Sequence, residues 1–220
     1  MSESRVTVDV RTTLPNDDCV ITFRTEASKI RGRLVRLGTV ANTILTRHKL
    51  PPPVSVALGE ALALTAVYGS ALSTDGKIIL QTRTDGPISL MVADVTSSDG
   101  ATALRGYARY DAEAISRLDT KTLAAVDVLG SGSMAVTVDQ GVSDRYQAIT
   151  AIDGVSLAEA SAKYFEDRDG SPALVRLAVA PLYRSGRGAN APTTQWRCGG
   201  LMMQQAANSP GDGDDEDWHR

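Results

Sequence analysis

Histidine and cysteine are scarce, with two of each in 220 residues. His48 and His219 lie 171 positions apart, which excludes the H-E-x-x-H pair of a zinc hydrolase. A structural zinc site takes about four Cys or His ligands in paired spacing, and no C-x-x-C is present to supply them. Cys19 and Cys198 stand at opposite ends of the chain. A secreted disulfide framework has more cysteines, set closer together. The pair therefore points to a reducing cytosol, and each reads as a small buried apolar residue. Arg197 would favour a Cys198 thiolate slightly. Gly199-Gly200 gives no helix N-terminus to do more, and no resolving cysteine is near, so a thiol redox enzyme is not expected. Neither a metal nor any other cofactor is expected in this chain.

Other absences narrow the field. G-x-S-x-G, S-x-x-K and the Walker A pattern are missing, which removes the common serine-nucleophile and P-loop enzymes. Gly130-Ser131-Gly132 lacks the third glycine of a dinucleotide fingerprint and leads into a strand. Asp212, Asp214 and Glu216 have calcium-loop spacing, but Asp217 stands where that loop needs glycine. Aromatics are only 5% of the chain, so its core must be mostly Ala, Val, Leu and Ile. The most apolar stretch, 54–72, contains Glu60 and only four leucines, and reads as a buried helix, not a membrane span. The N-terminus has no apolar signal-peptide region. Charge of one sign is missing too: the net charge is −3, and residues 206–220 hold five carboxylates against one Arg. The near-neutral body has no polyanion-binding excess, so nucleic acid is not an expected ligand.

What is present reads as α+β: antiparallel sheets, built from a meander and hairpins, packed with several helices. Residues 1–18 are polar and read as a flexible N-terminal segment, with Pro15-Asn16-Asp17-Asp18 as a turn. A core domain spans 19–205, and 206–220 is an acidic linker-like stretch. Cys19–Phe23 is a strand, and Ile30–Leu37 has an ambiguous period. Val40–His48 and Val54–Leu72 are helices separated by three prolines. Lys77–Arg83, Ile88–Thr96 and Thr102–Tyr110 form the meander, joined by short turns. One or two short helices fit 111–126. Ser133–Gln140 and Arg145–Ile152 form a hairpin. Ser156 and Glu159 make a capping box for a helix to Asp167, and Ala173–Leu182 and Thr194–Gln204 are the last strands.

An ordered set of motifs carries a further signal. It comprises Arg31-Gly32 within Ile30–Val35, the Glu60 helix after the prolines, Gln81, and Asp85-Gly86-Pro87. It continues with Arg105-Gly106-Tyr107-Ala108-Arg109, Arg145-Tyr146-Gln147, Tyr164-Phe165 and Gly199-Gly200. From about Cys19 to Gln205 this set resembles the Hsp33 family of redox-regulated molecular chaperones of the bacterial cytosol. The resemblance implies a cytoplasmic, ATP-independent holdase that binds unfolded or aggregation-prone proteins under oxidative stress. It also implies an α+β core able to form a homodimer, including a domain-swapped one, with no catalytic site and no membrane. The family also carries a C-terminal zinc domain whose four cysteines form the redox switch. Those cysteines are absent before Arg220, and Cys19 and Cys198 correspond to none of them. The resemblance therefore implies the client-binding core without zinc, as a truncated or processed form of a longer protein or as a natural switchless paralogue.

A holdase needs exposed apolar surface and no catalytic groups. By strand parity, Ile78, Leu80, Leu90 and Val92 should face the core. Ile79, Met91 and Val95 should face outward beside Gln81 and Arg83, as candidate client-binding residues. The competing reading is an RNA- or ribosome-associated module that uses Arg105, Tyr107 and Arg109 to hold phosphate and stack bases.

Overall fold

A computed structural model describes residues 6–9, 17–25, 28–72, 75–118, 125–140, 145–185 and 193–205. The organising element is helix α2 (Pro52–Gly69), in which every residue from Pro53 to Tyr68 is buried except Val56 and Glu60. A helix apolar all round, without a polar stripe, must be covered on all sides. Two five-stranded antiparallel sheets and three helices cover it. The first sheet has the order β1 (Val6–Asp9), β2 (Cys19–Thr25), β3 (Ile30–Leu37), β10 (Thr193–Gln205), β9 (Ala173–Arg184). The second has the order β6 (Ala101–Tyr110), β5 (Ile88–Ser98), β4 (Gly76–Thr84), β7 (Ser131–Asp139), β8 (Arg145–Asp153). Helices α1 (Thr39–Arg47), α4 (Val126–Leu129) and α5 (Leu157–Asp169) pack around α2, and α3 (Ala112–Ser116) follows β6. No helix among the described residues is long and apolar enough to cross a membrane.

Glycine lets the sheets approach this helix. A Cβ on Gly59 of α2 would lie 2.8 Å from Val179 and 2.9 Å from the Cys198 sulfur. From the strand side, a Cβ on Gly106 would lie 2.9 Å from Leu62, and one on Gly200 would lie 3.0 Å from Val67. Two of the family motifs are thus close-approach positions against α2. In the turn after β4, the Asp85 carboxylate accepts the Ser131 N–H at 2.7 Å and the Gly86 N–H donates to the Leu129 carbonyl at 3.0 Å. Asp85-Gly86-Pro87 therefore fixes the entry to β7.

Most elements fall where the sequence places them, within one to three residues. The ambiguous segment 30–37 is a strand, and the Ser156–Glu159 capping box forms, with its helix running to Asp169. The segment 111–126 contains α3 and leads into α4, and residues 119–124 between them lie outside the described residues. Two findings differ from the expectations. Within the N-terminal segment expected to be flexible, Val6–Asp9 pairs with β2 as an edge strand. Asp17 and Asp18, expected only as turn residues, tie that end down. Asp17 bridges Arg36 and Arg197, at 2.6 Å to each. Asp18 accepts the N–H groups of Gly38 at 2.8 Å and Val40 at 3.2 Å, which caps α1 from outside the helix. The linker expectation for 206–220 lies outside the described residues.

The second difference concerns the meander. Ile78 and Leu80 are buried as expected, but Met91 and Val95 are buried with them, at 0% and 4% exposure. Leu90 and Val92 instead lie on the outer face, half-buried. The register explains the reversal. Ile78 pairs with Val95, Leu80 with Ala93 and Thr82 with Met91, so even positions on β4 share a face with odd positions on β5. A turn resets parity, and the bulge between Ile88 and Leu90 shifts it again, which is why Ile88 is buried as well.

Candidate functional site

The second sheet packs one face on α2 and leaves the other open. One row across that open face runs Tyr107, Val92, Gln81, Ala135, Ile149, each paired with the next through the strand register. The neighbouring rows add Ile79 and Leu90. Tyr107 is 50% exposed and Ile149 68%, while Ile79, Leu90 and Val92 are half-buried by their neighbours. Of the residues expected here, Ile79 takes its place, and Leu90 and Val92 replace Met91 and Val95. Scattered apolar residues on a surface mean little, but a band of them reaching across five strands, interrupted in its central row by Gln81, is informative.

Charged and polar groups border that band and are largely satisfied within it. The Arg105 Nε and one terminal nitrogen donate to the same Asp94 oxygen, at 3.1 and 2.8 Å, and Lys77 lies 3.6 Å from it. Arg109 Nε donates to the Ser89 hydroxyl at 3.1 Å, and the Gln147 amide donates to Thr137 at 2.9 Å. Beside Tyr107, Arg105 is thus engaged by a carboxylate and Arg109 by a neutral hydroxyl. Gly106, between them, points the other way, onto Leu58 and Leu62.

The first sheet has an open face that the sequence reading missed. Ile21, Leu34 and Leu201 form one row across it, and Phe23, Gly32, Met203 and Leu174 form the next. Leu34 is 41% exposed, and a Cβ on Gly32 would run into the Phe23 ring. Gly32 is thus the seat of an aromatic ring. A Cβ on Gly199 would make only an ordinary contact, 3.6 Å from the Val35 carbonyl oxygen. The available signal was the alternation of Ile21 and Phe23 in β2. In β3, however, Leu34 faces outward while Arg31 and Arg33 face inward, which inverts the usual assignment. Beside α1, a groove of about 470 Å³ lined by Val40, Ile44 and Leu104 adds apolar surface next to β6.

Cysteine chemistry is not part of these faces. Cys19 pairs with Arg36 and Cys198 with Leu37, which puts the two on opposite faces of the first sheet, out of reach of each other. Cys198 is buried, and burial first, then the nearby Glu60 carboxylate, pushes its thiol up to about 12. Cys19 is half-buried. In the native chain a thiol-specific disulfide reagent at pH 8 should label Cys19 readily, and Cys198 only on unfolding, because the thiolate is the reacting species. Equal labelling of both in the folded chain would refute this assignment. Among the described residues no group of three or more His, Cys, Asp or Glu is placed to hold a metal ion. The described residues therefore do not fit a zinc ion.

Comparison with known proteins matches this arrangement to one group. A family model described as Hsp33 protein matches residues 18–217. A 33 kDa chaperonin of Caulobacter vibrioides is 40% identical over 204 residues, covering 91% of this chain and 65% of that protein. One of Pseudomonas fluorescens is 39% identical over 154 residues, 70% of this chain and 49% of that protein. The chain thus spans just under two thirds of the Caulobacter relative. The crystal structure of a 33 kDa chaperonin (heat shock protein 33 homologue) from Thermotoga maritima superposes with a TM-score of 0.68 at 22% identity, covering 86% of this chain and 61% of that one. At that identity the likeness carries the fold, two antiparallel sheets packed with helices.

Proposed function

The chain belongs to the Hsp33 family, and from that membership we propose that it is a chaperone core which holds unfolding proteins without ATP. The observation that carries this reading is the pair of apolar sheet faces left without a covering element among the described residues. Between them the two faces present Leu, Ile, Val, Met and aromatic side chains, and on the second sheet the neighbouring Arg105 and Lys77 are engaged by Asp94. Such a surface captures apolar segments of many sequences without recognising any one of them. The long edge strand β9 and the β6 and β8 edges offer backbone pairing to an extended client segment or to a second copy of the chain. We propose a homodimer in the cytoplasm as the working form. Activation by oxidation would belong to a zinc-binding region of the kind the family resemblance implies, because the positions of Cys19 and Cys198 favour no switch. The nucleic-acid reading finds less support, since Arg105 is engaged by Asp94.

Light scattering from a thermally unfolding client, measured without nucleotide, tests the proposal. The chain should suppress aggregation at about one to a few molecules per client, equally in reductant and in oxidant. Unchanged aggregation at a several-fold excess under both conditions would refute the holdase reading. Suppression that depended on oxidising Cys19 or Cys198 would refute the assignment of the switch elsewhere.

A further inference from the structure

On the face of β3 turned toward α2, Arg31, Arg33, Val35 and Leu37 alternate. Val35 and Leu37 are core residues. The two arginines instead wall a cavity of about 260 Å³ between the two sheets, and Arg168 of α5 closes it from the other side. Ile78, Val136 and Met202 contribute an apolar lining. Tyr68 stacks on Phe165 with ring centres 5.3 Å apart, and the Arg168 guanidinium lies 5.1 Å from the Phe165 centre and 5.3 Å from that of Tyr164. Two of the three arginines have neutral hydrogen-bond partners here: Arg31 donates to the Gln204 side-chain oxygen at 3.0 Å, and Arg168 to the Tyr164 hydroxyl at 3.1 Å.

Arg33 is different. Its Nε is buried and has no acceptor. No carboxylate lines the cavity among the described residues. The charged groups that act on Arg33 are Arg31 and Arg168, and both add to its desolvation in lowering its pKa. A half-buried guanidinium whose Nε has no acceptor is costly, and an anion in the cavity would supply one. Carboxylate and phosphate oxygens suit the planar guanidinium fork. The apolar lining fits a ligand with a hydrophobic body better than a bare ion.

We propose that this cavity binds a small organic anion, its carboxylate or phosphate head on Arg33 between Arg31 and Arg168, and its aromatic or branched body against Ile78, Val136 and Met202. The site lies on the inner side of the first sheet, away from both open faces, so it is separate from client capture. Phenyl phosphate and benzoate are suitable probes, inorganic phosphate tests the head alone, and benzyl alcohol tests the body alone. In thermal melts of the full chain, phenyl phosphate or benzoate should raise the midpoint saturably, inorganic phosphate should raise it less, and benzyl alcohol should leave it unchanged. Arg33→Met should itself melt a few degrees higher without ligand, because a stranded charge is gone, and should lose the ligand-induced rise. In methyl spectra of the wild-type chain, the Met202 signal should move with the same saturation curve, a readout that needs no variant. An equal rise in Arg33→Met, a rise with benzyl alcohol matching that with phenyl phosphate, or a Met202 signal that stays still would each overturn the proposal.

Discussion

Replacing Glu60 by Gln should stabilise the chain strongly at pH 8 and only slightly at pH 5. Glu60 lies on α2 beside the Gly59 contact with β9 and β10, and it makes no hydrogen bond or ion pair among the described residues. Burial raises its carboxyl from 4.5 to about 7. The fold therefore holds a proton that the unfolded chain releases as pH rises above its own carboxyl value. Below pH 4.5 both states are protonated and nothing is lost. Between 4.5 and about 7 the wild-type chain loses stability, and above that the full cost is present. At about 1.4 kcal/mol per pKa unit, the cost approaches roughly 3 kcal/mol at pH 8 and is under about 1 kcal/mol at pH 5, with residual exposure trimming both. Gln keeps the shape and cannot ionise, so urea midpoints of the two chains should diverge across this interval. Parallel pH profiles would show that Glu60 is ionised and solvated in the folded state.

The second large effect separates two adjacent residues on β5. Val92→Lys combined with Ile149→Lys should leave the melting temperature within a few degrees of wild type, because both side chains lie on the open face. The same pair should reduce aggregation suppression several-fold by placing charge in the middle of the apolar band. Met91→Lys, one position from Val92, should instead cost more than about 4 kcal/mol and unfold the chain, since Met91 is 0% exposed and faces α2. The corresponding pair on the first sheet, Leu34→Lys with Met203→Lys, tests the other face. Full suppression by both double variants would exclude the sheet faces as the capture surface.

These contrasts also mark how far the sequence was legible. Helix α2 was readable because a 19-residue apolar stretch with a single carboxylate and few leucines suits only a buried soluble helix. The Ser156–Glu159 capping box was readable because its hydrogen bonds are local: Glu159 accepts the Ser156 N–H at 2.8 Å and donates its own N–H to the Ser156 hydroxyl at 3.2 Å. Facing across the meander was not, because strand parity does not pass through a turn and a bulge. Arg31 and Arg33 looked like a solvated strand face, and only the pairing of β3 with β10 turns them inward. Asp17 and Asp18 act on partners about 20 and 180 positions away. No local pattern could announce such partners.

The pairing of β3 with β10 also constrains the order in which the protein can be made. Residues 30–37 wait for 198–205, and β10 is the strand that joins β3 to β9. During synthesis the second sheet can close over one side of α2 once β8 has emerged, about fifty residues earlier. The other side of α2, with Gly59 and Val67, has no complete cover until residue 205 leaves the ribosome. Contacts of such long sequence separation form late and slowly. A protein proposed to guard unfolding chains must therefore pass through its own interval with an apolar helix half uncovered, the hazard from which it would protect its clients.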